Sequence, residues 1–328
     1  MDSNKTLNLF YQEPDPDRWI KHDRYPRRII RRLVRGKPLP GGQKMVFLNL
    51  TQGLDKIGIS YRVNDFKYIQ KHPEELACII GKPNVLFENK WENPILFGAS
   101  IFSHPIDHPD LLEKFPIKKV LVPGEWMQRM FKPYYGQDVI AWPVGIDTDR
   151  WRPSDKDKNL DFLIYYKIRW KQEEYDQTLV TPIIKTLEKQ KRSYKIIRYG
   201  HYVLNDLTEL ASKTKAVIFL CEHETQGLAY QQLLSMNIPI FAWDRGGFWE
   251  DPAYFPDKVQ FNDGVSSVPY WDERCGFKFS DYSEFLSKLD DFLDQLNYFS
   301  PRDYILENLT LEKCAKQYLQ IVQSLVDH

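Results

Sequence analysis

Four cysteines in 328 residues, Cys78, Cys221, Cys275 and Cys314, are too few and too scattered for a disulfide framework. No two of them have the C-x-x-C spacing of a zinc site. A reducing, cytoplasmic compartment is therefore expected. Net charge is missing as well: Lys plus Arg and Asp plus Glu both number 45, which argues against a global attraction to nucleic acid or membrane. No run approaches the about 18 apolar residues of a spanning helix, and MDSNKTLNLFYQEP has no apolar stretch of signal-peptide length. The expectation is a protein that is soluble or held at a membrane face. Low-complexity tracts and short tandem repeats are absent too.

What is present is a steady alternation of strand-like and helix-like segments, the pattern of a parallel sheet covered on both faces. The length suits two such domains, each with its own core. Leu7–Tyr11, Leu76–Ile80, Ile95–Phe97, Lys119–Val122 and Val139–Trp142 read as strands, with helices at Lys44–Ile57 and Glu125–Lys132. The Pro- and Gly-bearing stretch Pro143–Pro153 interrupts the rhythm and marks the boundary between domains. Beyond it come a strand at Leu160–Tyr166, a helix near Thr178–Lys189, a strand at Tyr194–Arg198 and a helix at Asn205–Lys213. Ser283–Leu296 and Leu311–Val326 read as amphipathic helices.

Residues 221–247, CEHETQGLAYQQLLSMNIPIFAWDRGG, concentrate the chemistry. The apolar run Ala216–Leu220 before them reads as a strand buried on both faces. Glu222, His223, Glu224 and Thr225 fall where that strand ends, and Gly227 allows a close backbone approach before a helix through Leu228, Ala229, Leu233 and Leu234. Ile238–Trp243 follows as the next strand. In open parallel sheets ligands gather at the carboxyl ends of strands, and helix N-termini present unpaired N–H groups to phosphate. Another strand end, this one cationic, is Lys167-Ile-Arg169-Trp-Lys171, which closes the first strand of the second domain.

The stretch resembles the nucleotide-sugar site of retaining glycosyltransferases of the GT-B fold, especially family four, whose signature is a Glu, seven residues, then a second Glu, with a Gly-Leu pair after the first. Glu224 matches the first position, Gly227-Leu228 the pair, and Gln232 stands at the second. Pro40-Gly41-Gly42 is similar to the glycine-rich acceptor-side loop of the family. Lys119-Val-Leu-Val-Pro-Gly-Glu-Trp126 looks like its strand-plus-helix segment, and Trp142-Pro-Val-Gly-Ile-Asp147 like its interdomain linker. These matches span roughly residues 40 to 250 in the family's order. The resemblance implies two Rossmann-like parallel-sheet domains facing across a cleft, residues 1–148 on the acceptor side and 149–305 on the donor side, with 306–328 crossing back to the first.

It further implies a nucleotide-sugar donor as substrate, a glycan, lipid-linked or small-molecule acceptor, transfer with retention, and neither cofactor nor metal. Glu224 and Lys171 are the expected catalytic residues, joined by His104 after the apolar run Ile95–Phe102. The donor contacts implied are Lys167, Arg169, Gly200, His201, Glu222, His223, Thr225, Gln226, Gly227, Leu228 and Gln232, with Gly41 and Gly42 on the acceptor side. His104 reads equally as a capping residue. Asp15-Pro-Asp17 and Asp147-Thr-Asp149 have a metal-binding D-x-D form but sit in a Pro-rich loop and the linker. Arg24 to Lys37 puts Ile29, Ile30, Leu33 and Val34 on one helical face and arginines on the other. Such a helix can lie on an anionic membrane, pack its apolar stripe on the domain with the arginines solvated, or send some arginines into the interdomain cleft toward an anionic acceptor. Trp243, Trp249 and Trp271 are cleft candidates for sugar stacking. Two other readings remain: a catalytically silent protein of the same fold that binds a nucleotide or glycan, and a nucleotide-sugar epimerase.

Overall fold

The computed structural model describes residues 6–13, 41–99, 102–202 and 204–326; the basic helix expected at 24–37 lies outside them, as does Asp15-Pro-Asp17. The chain divides into two compact units: Met1–Val122, Phe131–Trp142 and Ala315–His328 in the first, Pro123–Met130 and Pro143–Cys314 in the second.

The first unit is built on six parallel strands, β1 (Leu7–Phe10), β2 (Tyr61–Val63), β3 (Ala77–Ile79), β4 (Ile95–Phe97), β5 (Ile117–Val122) and β6 (Val139–Ala141), in the order β2-β1-β3-β4-β5-β6. The inner strands β3 and β4 are apolar throughout and wholly buried, as a sheet covered on both faces demands. The edge strand β2 carries Arg62 and is only partly covered. Helix α1 (Gly42–Lys56) buries Val46, Leu50 and Leu54, spaced four apart so that one face meets the core. Gly98, directly after β4, has φ +125°, and a Cβ there would run into the Leu121 carbonyl of the neighbouring strand.

Five parallel strands form the second unit: β7 (Leu160–Lys167), β8 (Tyr194–Arg198), β9 (Thr214–Cys221), β10 (Ile240–Trp243) and β11 (Gly276–Phe279), ordered β11-β10-β9-β7-β8. Side chains alternate between two cores, as the period of two in a strand requires. Leu163, Tyr165, Val217, Phe219, Ile240 and Ala242 point to one. Phe162, Ile164, Tyr166, Ala216, Ile218, Leu220, Phe241 and Trp243 point to the other. Each large apolar side chain so buried contributes about 1.5–3 kcal/mol relative to exposure.

Helix α2 (Glu125–Tyr135) follows β5, and α3 (Thr181–Lys189) and α4 (Leu204–Ala211) connect β7, β8 and β9. Helix α5 (Leu228–Ser235) packs Leu233 and Leu234 on the first core, whereas α6 (Tyr282–Asp294) packs Phe285, Leu289 and Phe292 on the second. Two more helices, α7 (Pro301–Asn308) and α8 (Leu311–Val326), end the fold. Sequence periodicity missed β2, β11 and α7. The two strands are short sheet edges, and α7 is a two-turn helix started by a proline at its first position.

Both sheets reverse direction once. In the second unit β7 is flanked by β8 on one side and β9 on the other, so successive connections leave in opposite directions at the β7/β9 boundary. A crevice at the carboxyl ends of the strands is expected at such a switch point.

Candidate functional site

The segments that leave β7 and β9 at this switch point are Lys167-Ile-Arg169-Trp-Lys171 and Glu222-His-Glu224. Neighbouring strands bring them into register, with Lys167 opposite Cys221. Lys167 Nζ lies 2.5 Å from Glu224 Oε1, with 13% and 10% of the two side chains exposed. Burial alone would push the Lys167 pKa down, but the Glu224 carboxylate together with Cys221 and Tyr199 holds the lysine above its ordinary value. The ammonium also sits 4.4 Å from the centre of the Tyr199 ring, a cation–π contact.

Glu222 performs a different task. Its Oε1 accepts the backbone N–H groups of Arg169 at 2.7 Å and Trp170 at 2.8 Å, which pins the turn leaving β7. The Arg169 guanidinium is 3.8 Å from Glu222 Oε2, donates to His223 Nε2 at 3.1 Å and stacks on the Trp170 ring at 4.6 Å. The Trp249 indole N–H also donates to His223 Nε2, at 3.2 Å. An imidazole nitrogen that accepts two such bonds carries no proton, so His223 is neutral with its hydrogen on Nδ1. Burial first, then Arg169, Lys167 and Arg245, holds its pKa well below the usual histidine value. Trp126 and Trp170 enclose the ring, with centroids at 5.5 and 5.1 Å.

The remaining expected residues separate into those that face the loop and those that build it. Lys171 does not join Glu224; it pairs with Glu250 at 3.2 Å, which Arg245 also approaches at 3.4 Å. Gly227 caps α5 in a left-handed conformation (φ +88°), Leu228 opens the helix, and Thr225 is exposed. Gln226 is a structural clamp: its amide accepts from Val144 N at 3.0 Å and donates to Val144 O at 2.7 Å. Gln232 is buried on α5, and its side chain makes no hydrogen bond among the described residues. Gly200 and His201 follow β8, with open space where a Cβ on Gly200 would stand.

In the first unit Gly41 caps α1 and Gly42 opens it, both with open space around them. His104 accepts the Ile106 N–H at Nδ1, 3.0 Å away, and so caps a short turn at Pro105–Asp107. Asp147 Oδ1 accepts the N–H groups of Asp149 and Arg150, so the second D-x-D stretch closes a turn. Trp243 and Trp271 pack on the two cores of the second unit. Among the described residues no three His, Cys, Asp or Glu side chains gather as a metal site would require. Sequence reasoning overlooked Arg245 and Glu250. Arg245 lies two residues beyond β10, a strand-end position like that of Arg169 after β7, and this was the available signal.

Neither a family model nor a curated protein matches the chain. Solved structures do. Sucrose-phosphate synthase from Thermosynechococcus elongatus matches with a TM-score of 0.57 at 11% identity, over 98% of this chain and 99% of that one. The lipopolysaccharide outer core galactosyltransferase WaaB in its apo form gives 0.55 at 10% identity, over 98% and 99%. The chain has the GT-B fold. At identities this low the likeness is one of fold, and the chemistry must be argued from the side chains. In GT-B terms the Lys167–Glu224 pair belongs to the second parallel sheet, at its switch point.

Proposed function

We propose that the protein is a glycosyltransferase whose second unit holds a nucleotide-sugar donor, and that it passes the sugar to a glycan, lipid-linked or small-molecule acceptor with retention and without a metal. The observation that carries this reading is the meeting of Lys167 and Glu224 at the β7/β9 switch point of a GT-B chain. Breaking a glycosidic bond to a diphosphate builds negative charge on the leaving group and positive charge at the anomeric carbon. Lys167, kept protonated, and Arg169, oriented by His223 and Glu222, would meet the first; Lys171 and the N-terminus of α5 would add to them. Glu224 is the carboxylate assigned to the second. No side chain is assigned as a nucleophile. Gly41 and Gly42 are the acceptor-side residues of the proposal, His104 is its catalytic residue from the first unit, and a cytoplasmic location, with residues 24–37 touching a membrane, completes it.

A catalytically silent, ligand-binding chain is the second reading, favoured by Gln232 in the place of an acid and by the mutual pairing of Lys167 and Glu224. One experiment separates the two. Thermal unfolding with a panel of nucleoside diphosphates and nucleotide sugars should show stabilisation by one base, about 2.7 kcal/mol at a hundredfold excess over Kd. Release of nucleoside diphosphate in the presence of acceptor extracts should follow, and Lys167→Met should lower that rate about 100- to 1,000-fold. Stabilisation without turnover selects the silent reading. Absence of any stabilisation sinks both.

A further inference from the structure

After β10 the chain runs from Asp244 to Asp272 without strand or helix. The first part of this stretch, residues 245–265, brings Trp249 to His223 and Glu250 to Lys171. Asp244 joins the two ends of that part. Its Oδ2 accepts the Ser266 hydroxyl at 2.9 Å and its Oδ1 the Ser267 N–H at 2.8 Å, while the Lys278 ammonium on β11 meets Oδ2 at 2.9 Å. The Asp244 N–H is itself fixed to the Phe279 carbonyl at 2.8 Å, and the Val265 N–H closes the same neck on the Gly247 carbonyl at 3.1 Å. With 11% of the carboxylate side chain exposed, these bonds are largely sheltered from competing water.

What the neck holds is Glu224. The Ser266 carbonyl accepts the Glu224 N–H at 3.0 Å, and the Glu224 carbonyl accepts the Trp126 indole N–H at 2.9 Å. Main-chain bonds on both sides of Glu224 thus fix where its carboxylate can reach, and one of them comes from the serine that Asp244 holds by its hydroxyl. A misplacement of about 1 Å at a reacting group costs about a hundredfold in rate. We propose that Asp244 is a positioning residue: it touches no substrate and acts through Ser266 to hold the main chain of Glu224. The catalytic consequence rests on the glycosyltransferase reading; the placement of Glu224 does not. The same sheet contains a matched clamp at the opposite, amino ends of its strands. There Asp161 accepts the Ser193 N–H at 2.8 Å and the Ser193 hydroxyl at 2.9 Å, with the Lys215 ammonium at 2.8 Å. A carboxylate that only stabilised the fold would act alike in both places.

Hydrogen–deuterium exchange read at single amides of the full chain tests the placement. In Asp244→Ala the Glu224 amide should exchange about tenfold faster than in the parent, while Val217 and Ile218 in the middle of β9 keep their rates. Asp161→Ala should leave the Glu224 amide within about twofold of the parent. Asp244→Asn, whose Oδ1 still accepts the Ser267 N–H, should recover most of the loss. Where Asp244→Ala does not fold, Ser266→Ala, which keeps the carbonyl and loses the hydroxyl, should show the same selective acceleration. With the nucleotide sugar that the thermal panel selects, Asp244→Ala should lower kcat about 100-fold and change KM about threefold or less, because the donor contacts remain and only the acid is displaced. Asp161→Ala should keep the parent's kcat. The proposal falls if the Glu224 amide keeps the parent's rate in Asp244→Ala and Ser266→Ala, if Asp161→Ala accelerates it equally, or if Asp244→Ala of an active parent keeps its kcat. The expected exchange pattern in a protein that turns over no nucleotide sugar removes the glycosyltransferase reading and leaves the placement of Glu224 by Asp244 standing.

Discussion

His223 and His104 are histidines whose surroundings oppose protonation, for different local reasons. Two N–H donors converge on His223 Nε2, and a cation there would face Arg169, Lys167 and Arg245. His104 accepts the Ile106 N–H, and burial lowers its pKa to about 4, against a smaller opposing pull from Asp107. In the unfolded chain both take up a proton near pH 6.5. Between that value and the folded pKa the unfolded state binds more protons, so stability rises with pH and is lost on acidification. Urea unfolding at pH 7.5 and pH 5 should therefore differ by about 2 kcal/mol from His104, with His223 adding to the difference in the same direction and the protein weaker at pH 5. Glu284, held near 2 by Lys288 and Ser280, titrates too low to account for a loss in this window. His104→Asn, whose Oδ1 can replace Nδ1 as acceptor, and His223→Gln, whose amide can replace Nε2, should each flatten the dependence. A parent protein equally stable at both pH values would refute the account.

At the scale of elements, Gly227 decides how the site loop enters α5. It is in the left-handed region at φ +88°, and a Cβ would overlap the ring of Tyr230, which is fully buried and exchanges hydrogen bonds with the Tyr270 backbone. Gly227→Ala adds about 1–2 kcal/mol of backbone strain to that overlap. The loss in urea unfolding should exceed 2 kcal/mol, about the strain alone. An unchanged midpoint would mean that the loop and Tyr230 rearrange freely. This junction was legible in the sequence: an apolar strand, a polar break, a glycine and an apolar helix appear in order over Ala216–Leu234, because both the strand's double burial and the helix's stripe leave a pattern. The long strands β7 and β9 were legible for the same reason, each with an almost unbroken apolar run. Pairings were not. That Lys171 meets Glu250 rather than Glu224, and that Gln226 is occupied by Val144, depend on contacts 79 and 82 residues apart that no local periodicity encodes.

On the scale of the whole chain, membership of the units is set by side chains far apart in sequence. Pro123–Met130 counts with the second unit, where Trp126 donates to the Glu224 carbonyl at 2.9 Å, although β5 just before it belongs to the first. Ala315–His328 counts with the first unit. There the fully buried Tyr318 lies edge-on to Trp142, 5.0 Å between ring centres, and its hydroxyl lies against the Cys78 thiol, which burial pushes up to about 12. Tyr318→Ala would leave a ring-sized cavity beside both residues, at a cost of about 3–5 kcal/mol as for other aromatic truncations. All four cysteines are buried, so the parent should react slowly with a thiol reagent. The variant should expose Cys78 first, identified by mass spectrometry of the labelled peptide. The proposed donor residues all belong to the second unit, so nucleoside diphosphate should still stabilise whatever fraction stays folded there. Labelling that begins instead at Cys221 or Cys275, in the core of the second unit, would show that the loss of Tyr318 propagates through the whole chain and that the two units unfold as one.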